Sequence, residues 1–243
     1  MKMGLENRPI LVTGAYGGIG AATVRLLRGE GADVIASGRN EEALLKLKTE
    51  TGCRTLQFDL TSEEEVKTAL QDVELYGVVN CGGFGGEIAT PMDTDISVFD
   101  KVIDTNTRGT LLVTKYASRN MVNAGTGGSI VNISSQASLI GLAGHISYAS
   151  SKGAVDAMTR VAALELGKYQ IRVNAINPTV VMTPMSEWYW GQKEIGGPLI
   201  QAMPLSRWAS EEDCAAPIVF LLSDNASMIS GVCLPVDGGL TAV

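Results

Sequence analysis

Eight residues near the start, Thr13-Gly14-Ala15-Tyr16-Gly17-Gly18-Ile19-Gly20, join a short apolar strand, Ile10-Leu11-Val12, to a helix that begins at about Gly18. The helix carries Ala21, Ala22, Val24, Leu26 and Leu27 as its apolar positions, and Gly29 and Gly31 close it. Glycines at 14, 18 and 20 let the backbone approach a ligand with no Cβ in the way. The helix behind them offers free N–H groups to a negative charge. A loop of this kind between a buried strand and an amphipathic helix fits a pyrophosphate, so a dinucleotide is the expected ligand. A purely structural turn needs fewer glycines.

The alternation of strand and helix continues to the end of the chain. Residues 34–36, 55–58, 77–80, 129–133, 172–176 and 232–236 read as strands two to seven, rich in Val and Ile. Helical stretches fall at 41–49, from the acidic capped start Thr61-Ser62-Glu63-Glu64-Glu65, and at about 95–123, 148–169 and 211–222. Residues 178–210 are poorly periodic and hold Trp188, Trp190 and Trp208. Pro235 marks the last strand as an edge or a strand end. Short strands separated by helices imply a parallel sheet. Without a repeat or a linker, residues 1–243 are expected to form one doubly wound, Rossmann-type α/β domain on a seven-stranded parallel sheet.

Composition narrows the partners. With 26 acidic and 19 basic residues the formal net charge is −7, which argues against a nucleic-acid binder or a basic membrane-surface protein. No apolar run approaches the roughly 20 residues that cross a bilayer. Met1-Lys2-Met3-Gly4-Leu5-Glu6-Asn7 has no apolar signal core, so a cytoplasmic protein is expected. Cys53, Cys81, Cys214 and Cys233 form no CxxC pair, and His145 is the one histidine. No metal site is expected, and the cysteines read as free thiols of a reducing compartment.

Three further features join the glycine loop. Tyr148-Ala149-Ser150-Ser151-Lys152 is a YxxxK pattern, Ser135 lies thirteen residues before the tyrosine, and Asn106 sits in the long helical stretch before them. Together with the GxxxGxG spacing, this set resembles the short-chain dehydrogenase/reductase family along the whole chain. Ser134–Ser138, Ala163–Gly167, Ile171–Thr183 and Leu221–Asp224 are similar to the dicarbonyl/L-xylulose reductase branch of that family, and in part to bacterial polyol dehydrogenases. One departure is Asn80-Cys81-Gly82-Gly83, where the family usually reads NNAG. Cys81 removes an asparagine that ties strands together, and Gly82 is expected to loosen the loop.

The resemblance implies Asn106, Ser135, Tyr148 and Lys152 as catalytic residues. Tyr148 and Lys152 are four apart, so they share one helix face. Tyr148 would exchange a proton with the substrate oxygen as a hydride moves to or from carbon. Lys152 would stabilise the phenolate and hold the nicotinamide ribose. Ser135 would hydrogen-bond the substrate oxygen, and Asn106 would anchor a water linking Lys152 to solvent.

Cofactor contacts are expected from Gly14, Tyr16, Gly18, Ile19, Gly20, Arg39, Asp59, Leu60, Asn80, Gly82, Tyr148 and Lys152, and from Pro178, Val181 and Thr183 after strand six. The end of strand two, Ala36-Ser37-Gly38-Arg39, has no carboxylate to accept ribose hydroxyls, while Arg39 can bind a 2′-phosphate. Asp33 lies at the wrong end of the strand. This favours NADP(H), with NAD as the alternative. Gly17 stands where NADP-using relatives carry a lysine.

Ser135, Gln136, His145 and Trp190 are the expected substrate contacts, on a small polar carbonyl such as a ketose or α-dicarbonyl, or the matching polyol. His145 reads equally as a structural histidine, and Trp190 equally as a subunit contact. Two other readings stand beside this one: a 3-oxoacyl-carrier-protein reductase, for which Arg119, Lys168 and Arg172 supply a modest basic patch, and a non-catalytic dinucleotide-binding sensor. The stretches 106–121 and 148–167 resemble the helix pair through which this family forms dimers, so a homotetramer is expected.

Overall fold

The computed structural model describes residues 2–183 and 186–242. Its strands are β1 (Pro9–Thr13), β2 (Asp33–Gly38), β3 (Arg54–Gln57), β4 (Gly77–Asn80), β5 (Gly128–Ile133), β6 (Ile171–Pro178) and β7 (Cys233–Val236). They form one sheet in the order β3-β2-β1-β4-β5-β6-β7, and every neighbouring pair is parallel. The order reverses between β1 and β4. In such a sheet the crevice outside the carboxyl ends of the strands, at that reversal, is where a ligand binds.

The helices are α1 (Gly18–Gly29), α2 (Glu41–Thr51), α3 (Glu63–Ala69), α4 (Ile96–Ile103), α5 (Gly109–Ala124), α6 (Ile146–Leu166), α7 (Glu187–Trp190), α8 (Lys193–Ala202) and α9 (Glu211–Leu222). The period-2 alternation of the strands sorts them into two layers. Ile10 and Val12 pack with Val24, Leu27, Leu44 and Ile218 on one face of the sheet. Leu11 packs with Val66, Leu112, Val113 and Met121 on the other. Ile10–Thr13 of β1 and all of β4 are buried on both faces, which explains the consecutive apolar residues Ile10-Leu11-Val12 and Val78-Val79.

Local signals account for the helix starts. Asn40 caps α2, Ser62 caps α3, and Ser210 with Asp213 forms a reciprocal capping box on α9. Pro235 lies in β7, the edge strand. Two stretches differ from the reading of the sequence. The long helix at 95–123 is α4 and α5 joined by a π-helical segment, Asp104–Arg108, centred on Asn106. The aperiodic stretch after β6 contains α7 and α8, despite Pro198 within α8.

All four cysteines are free. Among the described residues, no helix is long and apolar enough to cross a membrane.

Candidate active site

The loop from β1 to α1 leaves no room for side chains. Gly14 has φ +60°, and a Cβ on it would lie 2.7 Å from the Cα of Gly82. A Cβ on Gly20 would run into the carbonyl oxygen of Gly14. Gly17 caps α1 with no side-chain hydrogen bond, and the first turn holds no acidic residue. The result is a bare cradle in front of the positive end of a helix, which suits a pyrophosphate. The nearest anionic group is Glu211, at the start of α9, whose carboxylate lies over Gly18 beside Thr183.

A cleft of about 350 Å³ runs from this cradle across the sheet. Of the expected cofactor residues, Gly14, Tyr16, Gly18, Ile19, Gly20, Arg39, Asp59, Leu60, Gly82, Tyr148, Lys152 and Thr183 line it. Pro178 and Val181 line an adjoining cavity instead. Asn80 is buried beneath the loop, and its Nδ2 donates to Asn132 at 2.8 Å and Thr114 at 3.2 Å, so its side chain ties β4 to β5.

The loop after β4 is also firmer than its sequence suggests. Thr13 Oγ1 accepts the N–H groups of Cys81 (3.1 Å) and Gly82 (3.2 Å). The side chain of Leu60 fills the space that an alanine methyl at position 82 would take. Burial pushes the Cys81 thiol up to about 12, so it stays protonated at neutral pH.

At the adenosine end, Arg39 is exposed and pairs with Asp59 at 3.5 Å. The ring of Tyr16 covers Gly38 and leaves no room for a side chain there. Ser37 also faces the cleft, and its buried Oγ lacks a hydrogen-bond partner. No local motif singled out Ser37, because a serine in a strand carries no signal by itself.

The four expected catalytic residues converge from three elements. Ser135 follows β5 and caps a short 3₁₀ turn. Its Oγ accepts from the N–H of Ala137 at 3.1 Å, which leaves the hydroxyl hydrogen free to donate. Its main-chain oxygen accepts from Ser138 at 2.6 Å and Asn177 at 3.2 Å. Tyr148 and Lys152 come from α6. Lys152 is 5% exposed, donates from Nζ to the Ile133 oxygen at 2.7 Å, and lies 5.6 Å from the centre of the Tyr148 ring. Burial lowers the Lys152 ammonium to about 8. Burial raises the Tyr148 phenol, and its hydrogen bond with Ser135 works the other way.

Asn106 is fully buried and lines neither cavity. Its Oδ1 accepts from the N–H of Phe84 at 2.7 Å, and its Nδ2 donates to Phe84 O and Ser151 Oγ, both at 3.0 Å. With both amide hydrogens used, the side chain clamps the loop after β4 onto α6.

The adjoining cavity is about 190 Å³. Ser135, Gln136, His145, Trp190 and Tyr148 line it, together with Trp188, Tyr189, Ile88 and Leu142. Tyr148 faces both cavities.

A family model described as enoyl-(acyl carrier protein) reductase matches residues 14–241. The chain is 39% identical to L-xylulose reductase of Bos taurus over 243 residues, covering 100% of both chains. It is 41% identical to L-xylulose reductase of Caenorhabditis elegans over 244 residues, covering 97% of this chain and 96% of the other. Among solved structures, a short-chain type dehydrogenase/reductase from Mycobacterium ulcerans superposes with a TM-score of 0.95 at 34% identity, over 98% of this chain and 91% of that one. A gluconate 5-dehydrogenase from Burkholderia cenocepacia J2315, in complex with NADP and tartrate, gives 0.94 at 25% identity, over 100% and 98%.

Proposed function

The chain belongs to the short-chain dehydrogenase/reductase family, and from that premise we propose that it transfers a hydride between NADP(H) and a small oxygenated carbonyl or alcohol, with Tyr148 as general acid and base. The observation that carries this reading is the position of Tyr148 at the junction of the two cavities, with Ser135 and Lys152 beside it. A cofactor in the larger cavity and a substrate in the smaller would meet at its hydroxyl. The similarity to L-xylulose reductases supports a ketose, polyol or α-dicarbonyl as the class of substrate.

A bound nicotinamide supplies or accepts the hydride. The chain does the rest. The N–H groups of Gly18, Ile19 and Gly20 would hold the pyrophosphate, and Lys152 would hold the ribose hydroxyls. Ser135 donates to the substrate oxygen while Tyr148 gives it a proton in reduction, or removes one in oxidation. A tyrosine with an ordinary pKa of about 10 needs roughly 4 kcal/mol of differential stabilisation to work as a base at pH 7. The Lys152 ammonium and an oxidised nicotinamide are the two positive charges that supply it.

NADP over NAD is supported by the exposed Arg39, by the lack of a carboxylate at the end of β2, and by Tyr16 occupying the space above Gly38. The carrier-protein reading loses one of its basic residues. Arg172 spends its guanidinium on the main-chain oxygens of Leu221, Leu222 and Ser223 at the end of α9. The intact Tyr148 and Lys152 argue against a non-catalytic sensor. A homotetramer in the cytoplasm remains the proposed state, and exposed Leu111 on α5 and Val161 and Leu164 on α6 would supply apolar contact. The test is cofactor oxidation with a carbonyl panel and both nucleotides. No turnover of any carbonyl with either would overturn the reading.

A further inference from the structure

The walls of the smaller cavity do not match a sugar. Three consecutive aromatic residues on α7 line it, Trp188, Tyr189 and Trp190. His145 stacks on Trp190 with ring centres 5.5 Å apart and planes at 22°. Tyr189 meets both edge-on, at 5.8 Å and 5.0 Å, and Trp208 packs on Trp190 from behind. Ile88 and Leu142 add aliphatic surface. His145 Nδ1 is 2.7 Å from the Ala143 oxygen, so that nitrogen is already used, and burial favours the neutral ring.

Of the hydroxyls in the lining, Ser134, Thr179 and Ser186 are spent on the Lys152 oxygen, Met203 Sδ and the Val181 oxygen, and Thr183 lies against Ser186. Ser135 and Tyr148 grip the reacting oxygen. Next to them stands Gln136, which is 2% exposed and lines the cavity. Its Oε1 has no hydrogen-bond partner, and its Nε2–H is available to donate to a ligand oxygen. An open-chain ketose carries a hydroxyl on every other carbon, and each would be stripped of water against these apolar walls. A compact ring instead lays apolar carbon against the aromatic side chains with little polar surface to desolvate.

On top of the oxidoreductase reading, we infer that the substrate is a compact carbocyclic ring bearing two oxygens, a cyclic diketone or the corresponding hydroxyketone or diol, rather than an open-chain sugar. One oxygen lies on Ser135 and Tyr148, and the second accepts from the Gln136 Nε2–H. In the reducing direction the ring carbon gains a hydride from the reduced nicotinamide, its oxygen gains the Tyr148 proton, the cofactor leaves oxidised, and the second oxygen is unchanged.

The chain has three tryptophans, and all of them belong to this aromatic group, so their fluorescence reports on the cavity. The experiment titrates cyclohexane-1,2-dione, hexane-3,4-dione and L-xylulose into the full protein saturated with NADP⁺, where the diones cannot turn over. Turnover with NADPH is measured separately. The ring dione should quench with a Kd at least tenfold below those of the open-chain dione and the sugar. In Tyr189→Leu that ring advantage should fall below threefold. Equal or tighter binding of hexane-3,4-dione or L-xylulose overturns the inference, as does a Tyr189→Leu protein that keeps the full ring advantage. Tighter binding of the ring without NADPH oxidation by any compound supports the ring-shaped ligand and overturns the oxidoreductase reading alone.

Discussion

Lys152 donates from Nζ to the main-chain oxygen of Ile133 at 2.7 Å while 95% shielded from solvent, so an ammonium on α6 is held by the strand that leads directly into Ser135. One hydrogen bond fixes the lysine relative to the serine. It does not repay the cost of burying the charge, and the ammonium is lowered from 10.5 to about 8.

That depression has a stability consequence. Between pH 8 and 10.5 the unfolded chain holds a proton on Lys152 that the folded chain has released. Stability therefore rises with pH across this window. The full effect is on the order of 3 kcal/mol, as an upper bound. Lys152→Met should abolish the rise. Urea denaturation of the cofactor-free protein at pH 7 and pH 10 checks it: wild type should gain stability relative to the variant as pH increases. A constant difference between the two proteins would mean that Lys152 is not depressed.

Tyr148→Phe should reduce kcat by at least a thousandfold and leave the affinity for NADP(H) within about threefold. The phenyl ring keeps the packing on both cavities, and only the proton carrier is lost. Nucleotide affinity by calorimetry, beside kcat by absorbance at 340 nm, separates the two effects. Near-normal turnover would remove Tyr148 from the mechanism.

How much of this was legible before the structure follows from the range over which each feature is encoded. The bounds of β4 and α9 agree with the sequence reading because both are written locally. A pair of valines between Gly77 and Asn80 follows a turn in one case, and Ser210 and Asp213 cap the helix in the other. The candidate catalytic residues were legible as a joint pattern of spacings. The π-helical segment at Asn106 was not, since an extra residue in one turn leaves no mark on side-chain periodicity. The α7 aromatics are consecutive, so no periodic stripe announced a helix. The Asn80 bond to Asn132 was not legible either, because the strand pattern does not say which neighbour a buried amide chooses. Tyr16 over Gly38, Leu60 over Gly82 and Glu211 over Gly18 are contacts between distant segments, visible only after folding.

The contact between Tyr16 and Gly38 changes how cofactor preference can be re-engineered. Arg39→Ala should lower kcat/KM with NADPH at least tenfold and leave NADH within about threefold, because only the 2′-phosphate loses a charged partner. Gly38→Asp alone should weaken both cofactors, since the new side chain collides with the Tyr16 ring. Paired with Tyr16→Ala, the same aspartate should favour NADH. Wild type, Gly38→Asp, Tyr16→Ala and the double variant, assayed with both nucleotides, test the coupling. Additive effects of the two substitutions would show that the ring does not restrict position 38.

Gln136 should separate stability from function with opposite signs. Its Oε1 is buried without a hydrogen-bond partner, a state that costs about 1–3 kcal/mol for a typical polar group. Gln136→Leu has similar length and removes the orphaned oxygen, so the cofactor-free variant should be at least as stable as wild type, with an upper gain of about 2 kcal/mol. The same amide lines the cavity, where its Nε2–H can donate to a second substrate oxygen. Without it, that oxygen is buried against a methyl group, and the same 1–3 kcal/mol appears as a loss of roughly 5- to 150-fold in kcat/KM. The loss should affect cyclohexane-1,2-dione and spare cyclohexanone, which has no second oxygen to strand. Denaturation midpoints and kcat/KM on the two ketones measure both sides. A destabilised variant with equal losses on the two ketones would make Gln136 a structural residue, and no loss on the dione would place the second oxygen elsewhere in the cavity.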